Sequence, residues 1–206
     1  MDLHARENPQ PKTPASPLGL VVIIASNREG RLAPVIADWF LEHARAHGGY
    51  DVDVVDLAHA DLPVALSNDP GPAGTEALER VTPRLAAADA FVVVTPEYNH
   101  SFPAGLKNLI DWHFTEWRAK PVAFVAYGGM SSGLRAVEQL RQVFAEMHAV
   151  TIRDTVAFHN VHTRFDEEGR PRDPAGSDTA AKAMLDQLAW WGETLREAKA
   201  VRPYDG

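Results

Sequence analysis

Short apolar runs alternate with longer stretches of helical periodicity along most of the chain. Residues 18–25, "LGLVVIIA", are apolar throughout and β-branched at their centre, the composition of a strand buried on both faces. Residues 33–47 then place Val35, Ile36, Trp39, Phe40 and His43 at spacings of three and four, one face of a helix. Pro34 suits its first turn, where a missing N–H is harmless, and Gly48-Gly49 ends it. "YDVDVVDL" alternates before turning apolar and reads as a second strand outside the first. "LPVALSNDPGPAG" is rich in turn residues. A helix over 75–88 follows, kinked or split by Pro83. "DAFVVVTPEYN" predicts a third buried strand and a turn, "FPAGLKNLIDW" a helix with Pro103 early in it, and "KPVAFVAYGG" a fourth strand. Residues 132–147 form a helix with Leu134, Val137, Leu140, Val143, Phe144 and Met147 inward. A fifth strand lies within "AVTIRDTVAFHNV". "RFDEEGRPRDPAGSD" reads as a mobile loop or hairpin, and a last helix over 177–199 buries Leu185, Leu188, Trp191 and Leu195.

Strand and helix alternating five times imply an α/β fold, a doubly wound five-stranded parallel sheet with helices on both faces and right-handed crossovers. Such sheets bind ligands beyond the carboxyl ends of their strands, where the strand order reverses. The three oddest loops, "SNREGR", "TPEYNHSF" and "YGGMSS", follow strands one, three and four. In the order 2-1-3-4-5 those strand ends are neighbours, so the loops converge on one cleft.

Bulk composition narrows what that cleft can serve. The 206 residues suit one domain, expected over 18–206, with a polar, Pro-rich N-terminal tail over 1–17. With 20 basic and 28 acidic residues the formal charge is −8, which argues against a nucleic-acid partner, since a polyanion binder needs a basic face. The absence of cysteine excludes disulfides, thiolate metal sites and a Cys nucleophile. No apolar run approaches the ~18 residues of a membrane span, and the first residues lack a signal-peptide pattern, so a cytoplasmic location is expected.

The first loop sets Ser26, Arg28 and Arg31 just before a helix N-terminus, where free N–H groups and the helix dipole favour an anion and the planar Arg fork suits phosphate. The plainer alternative is a solvated loop with Arg28 or Arg31 paired to Glu29 or Asp38. The position after the first strand favours phosphate, although the loop is neither a P-loop nor a three-glycine dinucleotide signature. The second loop, Pro96–Asn99, offers backbone groups that can read the edge of a flat heterocycle, and Tyr98 can pack on a ring; Asn99 is equally a candidate cap for the next helix. The third loop has Gly128 and Gly129 where the backbone must come close to something. Ser131 or Ser132 is expected to cap the following helix, and "GMSSG" is not the nucleophile elbow of a hydrolase. Of the histidines, His100, His113 and His148 are candidate bases for such a serine, but nothing places them beside it. Lys107 and Asp111, four apart, should form a surface pair.

Taken together, "ASNREGR" (25–31), "TPEYNHSFPAGLKNLIDW" (95–112) and "YGGMSSGLRA" (127–136) resemble the NADPH-dependent FMN reductases, flavodoxin-like in fold, a family that includes quinone, azo-dye and chromate reductases. The likeness covers roughly 18–150. Ala25 stands where that family usually has Gly, a mild change, and Arg31 where many members have Ser. The resemblance implies that Ser26, Arg28, Arg31 and the backbone at Leu32 hold an FMN phosphate. It implies that Pro96, Glu97, Tyr98 and Asn99 line the isoalloxazine through their backbone, and that Tyr127, Gly128, Gly129 and Met130 flank the ring on the other side. It further implies NADPH or NADH as co-substrate, a small-molecule electron acceptor, no catalytic side chain, since the cofactor carries the chemistry, and a homodimer or homotetramer. Two rivals stand beside it: a flavodoxin-type electron carrier without its own substrate, and a hydrolase or transferase on the same fold.

Overall fold

The computed structural model describes residues 16–205; the tail expected over 1–17 lies outside that range except for Ser16 and Pro17. Strands and helices alternate as β1 (Leu18–Ile24), α1 (Ala33–His47), β2 (Tyr50–Asp56), α2 (Gly71–Ala87), β3 (Ala90–Pro96), α3 (Ala104–Trp112), β4 (Pro121–Tyr127), α4 (Leu134–Glu146), β5 (Val150–Phe158) and α5 (Pro174–Val201). Single 3-10 turns at Thr115–Trp117 and Val161–Thr163 precede β4 and follow β5. The five strands form one parallel sheet in the order β2-β1-β3-β4-β5.

Strand residues alternate between two cores. Leu20, Val22 and Ile24 of β1, with Val92, Val94, Ala123 and Val125, pack under α1 and α5. Val21, Ile23, Phe91, Val93, Val122 and Phe124 pack on the opposite face with residues of α2, α3 and α4. β3 and β4 are buried at every position, which explains their unbroken apolar runs. β2 is an edge strand and keeps the alternation seen in its sequence.

Several elements depart from the sequence reading for identifiable reasons. α2 starts at Gly71 and passes through Pro83 as one helix; Pro83 sits on its exposed side. α5 gains a turn because Pro174 stands in its first turn, the position a proline tolerates. The polar stretch before it takes the hairpin alternative, with Phe165 bridging antiparallel to Pro171. Asp166 organises that turn by accepting the N–H groups of Glu168 and Arg170. Trp190 lies on the solvent side of α5 and is 60% exposed. Lys107 and Asp111 pair at 2.7 Å.

At the foot of the sheet, opposite the strand ends that carry the conspicuous loops, Lys120 is buried and donates to the carbonyls of Leu85 and Ala86 at 2.9 and 2.8 Å. It caps the C-terminus of α2, where carbonyls lack helical partners. Burial lowers its pKa from 10.5 to about 8, and the charge of Lys199 pushes the same way. The folded chain therefore holds this proton less tightly than the unfolded chain. Its unfavourable contribution is present in full below pH 8 and fades as the pH rises towards 10.5. We expect wild type to gain stability relative to Lys120→Met between pH 8 and 10, measured by urea denaturation across that range; a constant difference would show that the ammonium is not destabilised by burial.

Candidate functional site

Parallel register brings the chemistry-bearing loops side by side. Ile24 pairs with Asp56 on one side and Val94 on the other, and Pro96 pairs with Tyr127. The chain leaves β1 towards β2 and returns on the other side as β3, so the segments after β1 and β3 diverge over a cleft of about 210 Å³. Gly30, at φ 66°, turns the chain into α1, a conformation glycine adopts without strain. No side chain caps the N-terminus of α1, whose first turn holds Leu32 and Pro34.

The two arginines of this loop differ in kind. Arg28 lines the cleft, is exposed, and has no hydrogen bond or ion pair among the described residues. Arg31 reaches inward instead. Its Nη1 and Nη2 donate to Asp56 Oδ1 and Oδ2 at 2.5 and 2.6 Å, and Nη1 also donates to the Ser26 carbonyl at 2.5 Å. Hydrogen bonding to Asp56 raises the Arg31 pKa. Burial opposes ionisation of Asp56, but the bonds from Arg31 and the Ala58 amide outweigh it and hold the carboxyl below its usual range. Arg31, expected to hold a ligand phosphate, lines the floor of the cleft as one half of an ion pair with Asp56. Neither arginine pairs with Glu29 or Asp38. Ser26 is fully buried, and its hydroxyl meets the Tyr98 hydroxyl at 2.6 Å. Tyr127 lies on the same floor, its phenol pKa raised by burial and then by Tyr98.

The Pro96–Asn99 turn has few free backbone donors. Pro96 has no N–H, the Glu97 amide donates to the Tyr127 carbonyl at 3.0 Å, and the Tyr98 amide to the Ser101 carbonyl at 2.8 Å. The amide of Asn99 is the donor left over. Asn99 is exposed with φ 48°. It does not cap α3, whose N-cap position is Pro103, and it stands outside the residues lining the cleft.

Glu97 has a role that sequence reasoning missed. Its carboxylate accepts Ser131 Oγ at 2.5 Å, the Arg135 amide at 3.2 Å and Arg135 Nη1 at 3.2 Å. Burial resists its ionisation, yet these donors hold its pKa down. A carboxylate from the β3 turn thus satisfies the first turn of α4, where Ser131 or Ser132 was expected to act; the N-cap position is Gly133 and has no side-chain cap. Gly133 itself is obligatory. It sits at φ 84°, and a Cβ there would lie 2.7 Å from the Tyr127 nitrogen. Gly128 is tied to the far side, its amide donating to the Phe158 carbonyl and its carbonyl accepting from Val161. Gly129 has open space around its Cα. Met130, expected to flank the ring, is 85% exposed and stands outside the cleft lining.

Val161 and His162 complete the cleft from the turn after β5, a segment to which the sequence assigned no part in the site. Asp56 was also missed: it reads as the polar end of an edge strand, and its partner lies 25 residues away. The candidate bases for a nucleophilic serine do not assemble. His113 is buried in contact with the Leu109 carbonyl and Thr82 Oγ1, and His148 meets Tyr204. Among the described residues no serine hydroxyl hydrogen-bonds a histidine. For Gly133→Ala we expect a loss of about 1–3 kcal/mol from the positive φ alone, seen as a lowered denaturation midpoint; an unchanged midpoint would show that the β4–α4 turn has slack.

A model of the NADPH-dependent FMN reductase family matches residues 19–163. The chain is 37% identical over 131 residues to the NAD(P)H-dependent FMN reductase of Schizosaccharomyces pombe, covering 60% of this chain and 64% of that one. It is 32% identical over 149 residues to a probable NADPH:quinone oxidoreductase of Oryza sativa subsp. japonica, covering 69% of this chain and 72% of that one. The chain therefore spans under two thirds of the length of the first of these relatives. Among solved structures it superposes on FerB of Paracoccus denitrificans, described as a flavoenzyme NAD(P)H:(acceptor) oxidoreductase, with a TM-score of 0.68 at 23% identity, covering 86% of this chain and 98% of that one. That likeness speaks for the fold.

Proposed function

The chain belongs to the NADPH-dependent FMN reductase family, and from that premise we propose that it binds one FMN in the cleft between the β1, β3 and β4 loops and uses NAD(P)H to reduce a small-molecule acceptor. A quinone, an azo compound, a free flavin or a metal oxyanion fits the acceptor role. The observation that carries this reading is Arg28: a permanently charged fork that lines the cleft beside an uncapped helix N-terminus and has no partner of its own among the described residues. Such a group suits a phosphate. The residues present fit the cofactor, since the glycine turn after β4 leaves open space at Gly129 and the β3 turn opposes it across the cleft.

Bound FMN would supply the redox chemistry, accepting a hydride from NAD(P)H and passing reducing equivalents on. The protein's own contribution is placement. Arg28 and the amides of the first turn of α1 hold the phosphate end. Glu97, by tying the β3 turn to Ser131 and Arg135, keeps the two ring-facing turns at a fixed separation. No side chain has to move a proton, and none is assigned a catalytic role. An electron carrier without its own substrate is the alternative; the relatives named as reductases favour the enzyme. A cytoplasmic location and a homodimeric or homotetrameric state belong to the same reading. Among the described residues no helix is long and apolar enough to cross a membrane.

Titration of the purified chain with FMN should saturate at one site per chain; absence of binding at micromolar FMN would sink the proposal. Steady-state kinetics with a quinone should give parallel double-reciprocal lines, because one exposed flavin face must serve donor and acceptor in turn; intersecting lines would count against a shared face. Replacing Arg28 with Ala removes a charge-assisted contact worth about 1.5–3 kcal/mol, so FMN should bind roughly 10- to 150-fold more weakly. Riboflavin, which lacks the phosphate, should bind as before. An unchanged FMN-to-riboflavin ratio would remove Arg28 from the site.

A further inference from the structure

Arg31 lines the cleft that receives the proposed phosphate, but its charge is held by a carboxylate of the same protein. Both terminal nitrogens of its guanidinium are engaged by Asp56 at 2.5 and 2.6 Å, in the bidentate geometry that gives Arg–carboxylate pairs their strength and direction. The pair is anchored from every side. Arg31 Nη1 also donates to the Ser26 carbonyl, Asp56 Oδ1 accepts the Ala58 amide at 3.0 Å, and His59 Nδ1 lies 3.5 Å from Asp56 Oδ2. The side chains of Arg31 and Asp56 are 13% and 20% exposed, so water screens them only in part. One arginine of the loop is thereby nearly neutralised, and Arg28 remains as its uncompensated cation.

We propose that Asp56 is a specificity-determining residue of the flavin site. By drawing Arg31 down to the β2 strand end it sets how strongly the cleft prefers a phosphorylated flavin to an unphosphorylated one, and it keeps that preference below what two free arginines would give. The inference rests on the FMN reading above. It differs from a purely structural account in its sign. A carboxylate that only buttresses the loop would weaken both flavins when removed, whereas a carboxylate that withholds positive charge from the phosphate would, when removed, tighten FMN alone.

The test is a double-mutant cycle on Asp56→Asn and Arg31→Gln, with dissociation constants for FMN and riboflavin measured by flavin fluorescence and folding followed by thermal denaturation. Asp56→Asn keeps the size and much of the hydrogen bonding of the side chain but drops its charge. The FMN-to-riboflavin preference should rise about two- to fivefold, the size of a partly screened ion-pair effect. Arg31→Gln leaves Asp56 as a bare anion on the cleft floor and should lower the preference. Adding Asp56→Asn to Arg31→Gln should restore it by a larger factor than Asp56→Asn yields in the wild-type chain. A preference that is unchanged or reduced by Asp56→Asn overturns the proposal. Should Asp56→Asn fail to fold on its own, the comparison of Arg31→Gln with the double variant decides, and no recovery there overturns it. If the wild-type chain binds neither flavin, it is the cofactor reading that fails, an outcome distinct from binding with an unaltered ratio.

Discussion

Both faces of the central strands are sealed by helices, α1 and α5 on one side and α2, α3 and α4 on the other. That constraint governs everything else in the molecule. A buried strand satisfies its backbone groups through its neighbours, so a parallel sheet covered on both faces can present polar groups to a ligand only where its strands end. Reversal of the strand order between β1 and β3 then opens a gap at one of those ends. The register Ile24–Val94 and Pro96–Tyr127 puts three loops within reach of one small molecule without any loop having to be long. The opposite end of the sheet shows the same constraint resolved differently, with the buried Lys120 ammonium closing the carbonyls of α2.

Within the cleft, charge is arranged in two layers. The floor is internally satisfied: Arg31 with Asp56, Ser26 with Tyr98, and Glu97 with Ser131 and Arg135. Each of these pairs joins segments far apart in the chain, and together they bind the ends of β1 and β2 to each other and the β3 turn to α4. The rim is unsatisfied: Arg28 and the first turn of α1. This division suits a site that must be rigid before its ligand arrives, because ordering groups on binding costs affinity. It also suits a family whose chemistry resides in a cofactor, where the protein's task is to fix an orientation.

How much of this was legible in the sequence follows the same division. The strands, α1 and the strand order could be read because periodicity and β-branched runs are local signals, and the boundaries of α1 coincide with those expected from Pro34 and Gly48. The convergence of the three loops followed from topology. The partners on the floor were not legible, because nothing local to Arg31 distinguishes a ligand-facing arginine from one captured by a carboxylate 25 residues away. Ser131 looked like a helix cap for the ordinary reason that serine favours that place; the cap came from Glu97 across the cleft. Asn99 and Met130 were assigned to the site by their place in the motif; both are exposed and neither lines the cleft. Val161 and His162 had no pattern to reveal them, since their position depends on where β5 ends relative to β4.

The pairing of Arg31 with Asp56 also bears on why a loop in this position can hold two arginines at all. Two unpaired guanidinium groups three residues apart beside the positive end of a helix dipole would repel each other and the helix alike. Capture of one by a carboxylate relieves that repulsion, fixes the turn between β1 and α1, and leaves Arg28 as the exposed cation at the rim. The cost is borne by ligand affinity, because each negative charge near the floor opposes a bound phosphate. A fold that used both arginines on the ligand would hold its cofactor more tightly but would have a strained, self-repelling loop in its absence. The arrangement seen here favours a loop that is already formed before binding, and in the role proposed for it Asp56 controls phosphate affinity from the edge strand, outside the three loops from which the site is built.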